Sequence, residues 1–375
     1  MKGEYCSDKM NTFVMTILVM NTFGIELRAR RLANSLKINE LARLSGVDAS
    51  LISRYESDSR TPSDKHITML AHALGIDEEG LRSHYLISKV VKLLRYEPAA
   101  LDVLIAAEKR IEYLSSANST ERERLSQDIE ERLTEVDELQ KRWLEQKPLN
   151  AVQLQKMIEY FTVEYTYESN RIEGNTLTLK ETDLVVNQGL TISGKSMNEH
   201  LEAINHAEAS DYIRDLIIRK EDINKRTLLE IHGIVLKSID RLNAGRYRTV
   251  NVRISGSEHI PPEHVLVEDF MKDYFVYYER NKSRTHPVIL AAEMHERLVS
   301  IHPFVDGNGR TARLVMNLIL LRHGYTIANL KGDLSSRLRY YKTLEDIQVH
   351  NAPDDFYNVI IDAVVTSLSR HLELS

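Results

Sequence analysis

The sequence predicts a mainly α protein: a small N-terminal domain of short helices, and a larger helical domain that carries one short β-hairpin. Three observations predict it. Apolar residues recur every three or four positions along most of the chain. Alternation of β-branched and polar residues marks residues 246–254. Breaks at Gly46, Pro62, Gly75, Pro148 and Pro303 separate periodic stretches. The 375 residues exceed one ordinary core, so at least two domains are expected. A hydrophobic share of 42%, with 28% charged residues, is that of a globular protein, and the net charge of -6 argues against a chain coated in nucleic acid. The lone Cys6 excludes a disulfide within the chain and fits a reducing cytoplasm.

Residues 1–23 read as a leader. The apolar run from Phe13 to Met20 is far shorter than the ~20 residues that span a bilayer, so no membrane segment is expected. Residues 24–86 read as short helices. Ile25, Leu27 and Leu32 open the first, and Ile38, Leu41, Ala42 and Leu44 mark the second, which stops at Gly46. Leu51, Ile52 and Tyr55 give residues 49–56 an inner face. Ile67, Leu70, Ala71 and Leu74 form a further stripe, closed by Gly75. Two helices across a glycine-bearing turn make a helix-turn-helix pattern. Residues 41–56 resemble the phage-repressor type of that domain. The resemblance makes 49–56 the recognition helix and Ser50, Ser53 and Arg54 the groove-facing side chains, with DNA as the partner. Over residues 24–66, eight Lys/Arg stand against six Asp/Glu, a modest basic surplus.

Residues 87–149 read as a charged helical linker. Its seam of Leu125, Ile129, Leu133, Val136, Leu139 and Trp143 is expected to pack on the following domain, and Pro148 ends the segment. The second domain is placed at 150–370. In it, the alternation of residues 246–254 before the turn Ser255-Gly256-Ser257 and the breaker Pro261-Pro262 predicts the hairpin.

The chemistry is expected at the run His302-Pro303-Phe304-Val305-Asp306-Gly307-Asn308-Gly309-Arg310. Pro303 stops the preceding helix and leaves His302 at its end. Gly307 and Gly309 permit a turn with exposed N–H groups, and a new helix begins near Gly309, with Ala312, Leu314, Val315 and Leu318 as its apolar stripe. A glycine turn at a helix N-terminus is an anion site. Arg310 and Arg313 project from the same first turn and suit phosphate oxygens. Asp306 offers a hard oxygen of the kind Mg2+ takes alongside phosphates, and His302 can accept a proton at neutral pH. Other motifs fit less well. A P-loop needs Gly-Lys-Ser/Thr where Gly309-Arg310-Thr311 stands, and a metalloprotease helix needs histidine where Val299 follows His295-Glu296.

Extended to Thr311-Ala312-Arg313, the run resembles the signature of the Fic family at each defining position, with likeness over residues 150–350. The resemblance implies a helical core with a β-hairpin flap and transfer of AMP from Mg-ATP to protein hydroxyls. It makes His302 the base, Asp306 the Mg2+ ligand, and Gly307, Asn308 and Gly309 the cradle for the α and β phosphates. Arg310 and Arg313 take the β and γ phosphates. Tyr340 and Tyr341 flank the adenine, with Gln348 and Asn351 left open as further adenine contacts. The flap would dock the target through Arg248, Val250, Val252 and Ile254 as an added strand. Ser169-Asn170-Arg171-Ile172-Glu173-Gly174 resembles the family's inhibitory motif, at the end of a helix near 151–174 that Gly174 closes. Glu173 would then take Arg313 and deny it to the γ-phosphate, and one carboxylate occupying an arginine meant for phosphate has that effect on charge grounds alone. A DNA-binding regulator that senses nucleotide, and an enzyme that removes AMP, stand as alternatives. The sequence allows a homo-oligomer.

Overall fold

The computed structural model describes residues 22–105, 107–108, 111, 125–146 and 151–374; most of the expected leader and part of the expected linker lie outside these. It divides into two compact units, residues 1–123 and 124–375. Among the described residues every regular element is helical. None of these helices is long and apolar enough to cross a membrane.

The first unit is built from α1 (Phe23–Ala33), α2 (Ile38–Ser45), α3 (Ala49–Glu56), α4 (Asp64–Leu74) and α5 (Glu78–Leu94). Thr22 caps α1 and Phe23 is buried, so the folded unit already includes the last expected leader residue. Gly46 ends α2 in the left-handed conformation, and the Asp48 carboxylate accepts from the Ser50 N–H to start α3. Leu27, Leu41, Val47, Ile52, Tyr55, Leu70 and Tyr85 meet in one core. Ile25, Leu32 and Leu44, expected on inner faces, remain exposed. Arg31 forks onto both oxygens of Glu56 at 2.6 and 2.9 Å, joining α1 to α3.

In the second unit, α6 (Gln127–Leu144) buries Ile129, Leu133 and Val136 against the last helix, α15 (Asp354–Leu374), while Trp143 meets His371 edge to face. Then come α7 (Ala151–Ile172), α8 (Leu179–Gln188), α9 (Met197–Ile218), α10 (Lys225–Val235) and α11 (Val267–Asn281). At the centre lie α12 (Pro287–Ile301) and α13 (Asn308–Arg322), buried on nearly every face. They pack mainly on each other, with α9, α10, α11 and α15 around them, and α14 (Leu334–His350) precedes α15. The loop joining the two central helices is thus held by buried elements on both sides.

The hairpin expected over residues 246–254 is not formed, because no strand occurs among the described residues. The physical reason is visible in the hydrogen bonds. The carbonyls of Val250 and Pro262, available for a ladder, accept from the Arg248 guanidinium, and Pro261-Pro262 has no N–H to donate. The segment runs as an irregular excursion instead.

Candidate active site

His302 caps α12 with φ 49° and ψ 57°, a left-handed backbone that costs a non-glycine residue about 1–2 kcal/mol. Its Nδ1 lies 3.2 Å from the Val299 carbonyl. A carbonyl only accepts, so Nδ1 carries the proton and Nε2 keeps its lone pair. Burial holds the imidazole below its usual pKa, opposed by the Val299 hydrogen bond and helped by the Arg248 charge. The ring is therefore neutral at pH 7, with Nε2 able to accept a proton.

The loop after it is locked from within. Asn308 Oδ1 accepts from the Phe304 N–H at 3.0 Å, and its Nδ2 donates to the Phe304 carbonyl at 2.9 Å. Each end of that amide bonds to the Phe304 backbone, which fixes Asn308 within the loop. Phe304 stacks on His232 at 3.6 Å and 7°. His232 accepts from the Gly245 N–H at Nδ1 and donates to the Asp306 carbonyl from Nε2, both at 3.0 Å. Burial pushes its pKa down to about 4. His232 has no motif around it in the sequence, since its role arises from the approach of α10 to the loop.

Gly307 takes φ 76° and starts α13, so the first turn presents its free N–H groups outward. The Asp306 carboxylate accepts from the Gly307 N–H at 2.6 Å and meets Arg310 at 3.2 Å, yet stays 63% exposed. Among the described residues no three His, Cys, Asp or Glu side chains converge on a point. A cation on Asp306 would draw its other ligands from phosphate oxygens and water, which suits Mg2+. Arg310 is 3% exposed and also donates to Glu202 at 3.2 Å. Glu202 in turn accepts from Asn175, beyond the end of α7.

Arg313 is 1% exposed. It donates to the Ser169 hydroxyl at 3.0 Å, the Ser169 carbonyl at 2.9 Å and Glu173 Oε1 at 2.6 Å. Burial lowers its pKa, but the charge and hydrogen bond of Glu173, with Tyr340 and Tyr165 nearby, together raise it. Helix α7 ends at Ile172, and Gly174 takes φ 98° just beyond. The Glu173 carboxylate lies over the start of α13: a Cβ built on Gly309 would stand 2.4 Å from Oε1 and 3.1 Å from Arg313 Nη1. A carboxylate thus fills the place above the helix N-terminus that suits an anion.

These groups face a cavity of about 510 Å³ that includes Glu173, Ile254, His302, Gly309, Arg313, Tyr340, Tyr341 and Gln348 in its lining. Asp306 and Arg310 are not among its lining residues. Tyr340 is buried with its hydroxyl on His295 Nε2, whereas Tyr341 is half-exposed and donates to the Ile172 carbonyl at 3.0 Å. Gln348 lines the cavity and donates to Ser300, while Asn351 only caps α14 in the left-handed conformation. Ile254 reaches the cavity, Val252 is half-buried and Val250 is exposed. Arg248 is buried away from it.

Two family models match the chain: the Fic/DOC family over residues 222–320 and a helix-turn-helix over residues 27–81. The chain carries a Fic domain. The match covers the segment around Arg248, helix α12 and the whole loop to Arg313, while Glu173 and the Tyr340–Tyr341 pair lie outside it. A protein adenylyltransferase Fic from Nematostella vectensis is 37% identical over 220 residues, 57% of this chain and 50% of that one. The protein adenylyltransferase fic-1 of Caenorhabditis elegans is 32% identical over 257 residues, 68% of this chain and 47% of that one. The chain therefore spans half the length or less of these curated relatives. The solved structure of a segment of C. elegans Fic-1 superposes with a TM-score of 0.60 at 25% identity, covering 93% of this chain and 98% of that one. A Fic-domain signalling protein from Bacteroides thetaiotaomicron gives 0.58 at 26% identity, covering 65% and 97%.

Outside the Fic domain, the helix-turn-helix keeps Ser50, Ser53 and Arg54 exposed on α3. The Ser50 hydroxyl is already turned onto Asp48 at 2.5 Å, so Ser53 and Arg54 are the side chains left pointing outward.

Proposed function

We propose that the Fic domain transfers AMP from Mg-ATP to a hydroxyl side chain of a target protein, that Glu173 inhibits it, and that the helix-turn-helix binds DNA. The observation that carries this reading is the Glu173 carboxylate bonded to Arg313 above Gly309, in the same cavity as the free Nε2 of His302. In the transfer, His302 Nε2 takes the proton of the target hydroxyl as its oxygen bonds to the α-phosphorus. The bond from that phosphorus to the bridging oxygen breaks, and pyrophosphate leaves. The N–H groups at the start of α13 and Arg313 hold the phosphates, and Asp306 would hold Mg2+, which supplies charge neutralisation between them. With Glu173 on Arg313, the γ-phosphate lacks its guanidinium. The target segment would lie along residues 250–254, and the lone cysteine keeps a cytoplasmic location as the expected one.

The test is labelling with ATP that carries its label on the α-phosphate, with γ-labelled ATP as control. Covalent α-label is expected on Glu173→Gly, at least tenfold above wild type, and is lost when His302→Ala is added. ATP binding without α-label in any lane would sink the transfer reading. A second reading, AMP removal, is favoured by the one-third exposure of Glu173 beside His302, where a carboxylate can orient water. Release of AMP from a modified protein by wild type, but not by Glu173→Gly, would establish it.

A further inference from the structure

Arg248 is 3% exposed, and each of its hydrogen bonds runs to a backbone carbonyl, none to a carboxylate. Nε donates to the His302 carbonyl at 2.8 Å, and its backbone N–H donates to the Pro303 carbonyl at 2.8 Å. Nη1 donates to Val250 at 3.0 Å and Nη2 to Pro262 at 2.5 Å. Two of the four acceptors belong to the catalytic loop, and two bracket the segment expected to dock the target. A buried guanidinium with no counter-ion is costly, so it persists only where its donors are all used. Here they close a left-handed turn at His302 that proline restricts further.

We propose that Arg248 is a positioning residue, not a docking residue: it sets the register between the base and the target-docking segment, and so fixes how far a docked hydroxyl lies from His302 Nε2. This rests on the AMP-transfer reading, in which the two elements must meet one substrate. Arg248 is absent from the cavity lining, so it acts through the backbone of His302 and through residues 250–262. Only the planar fork of arginine serves three carbonyls together; lysine reaches fewer.

The experiment compares Arg248→Gln and Arg248→Lys with their Glu173→Gly parent. It follows ATP affinity by calorimetry with Mg2+, incorporation of α-label from ATP into the chain itself, and hydrogen exchange at residues 249–261. We expect ATP affinity within threefold of the parent, labelling at least thirtyfold slower in Arg248→Gln, and partial recovery in Arg248→Lys. Exchange at residues 249–261 rises at least tenfold while helix α13 keeps its protection. Labelling within threefold of the parent, or a fall that only tracks lost ATP affinity, overturns the proposal. If Arg248→Gln does not fold, exchange in the unsubstituted chain decides: the amides of Arg248 and His302 must open at one slow rate. An Arg248 amide at least tenfold faster than that of His302 overturns the clamp. A parent that shows no α-label refutes the transfer reading instead, and the exchange data still judge the clamp.

Discussion

The two units treat their polar side chains in opposite ways. In the helix-turn-helix, Ser53 and Arg54 stand in solvent, and the one arginine buried among the described residues of that unit, Arg31, is neutralised by Glu56. In the second unit, Arg248, Arg310, Arg313, Asn308 and Ser169 are all nine-tenths buried or more, and carbonyls satisfy many of them. A surface that reads a long polymer needs no depth, because the partner brings its own phosphates and groove. The proposed transfer would need donors fixed in advance and shielded from water, to hold charge at one phosphorus. Substitution should therefore alter binding alone in the first unit, but stability and chemistry together in the second.

The chain's one tryptophan, Trp143, lies in the second unit and reports its unfolding separately. The largest effect is expected from Arg313→Ala, which strands the Ser169 carbonyl and leaves Glu173 unpaired. It should lower the stability of that unit by about 3–4 kcal/mol, towards the lower end because Glu173 can rehydrate. A loss under ~1 kcal/mol in urea titrations followed by Trp143 would contradict the comparison. Next comes acid. His232 is neutral in the fold and accepts from Gly245, with its pKa lowered from 6.5 to about 4. The unfolded chain binds the extra proton below pH 6.5, so stability is full above 6.5 and falls as pH drops towards 4. The loss from His232 alone is about 3 kcal/mol. Buried His295, lowered to about 3, has the same sign. The urea midpoint should fall steeply between pH 6.5 and 4, and less steeply in His232→Gln.

Arg31→Ala tests the exception in the first unit. Its buried pair with Glu56 predicts a loss of about 3 kcal/mol, seen in the part of the circular-dichroism transition that Trp143 does not follow. Arg54→Ala should change stability by no more than about 0.5 kcal/mol. On duplex DNA it should weaken binding and reduce the slope of log K against log salt by about 0.9 if Arg54 meets a phosphate. Unchanged affinity and slope would remove Arg54 from the DNA-facing surface.

Much of this was legible in the sequence for a local reason. The turn at Gly46 and the passage from α12 through His302 and Gly307 into α13 both depend on residues within one turn of each other. Backbone preference and periodicity therefore predict them. The same holds for the end of α7, where Gly174 takes a positive φ. The hairpin failed because alternation states only which residues favour a strand. It does not state where their carbonyls find donors, and Arg248 took those of Val250 and Pro262.

The sequence by itself determined a helical chain, the helix-turn-helix pattern, and a loop with a base, a carboxylate and two arginines on one helix turn. Tertiary structure alone decided that Glu173, 140 positions before Arg313, lies over Gly309. It also decided that His232 and Glu202 bond to the loop from α10 and α9, and that Arg248 donates to the carbonyls of His302, Val250 and Pro262. Contacts between distant positions form only when helices pack. Their partners are chosen by which faces the core leaves together, and no spacing in the chain records that choice.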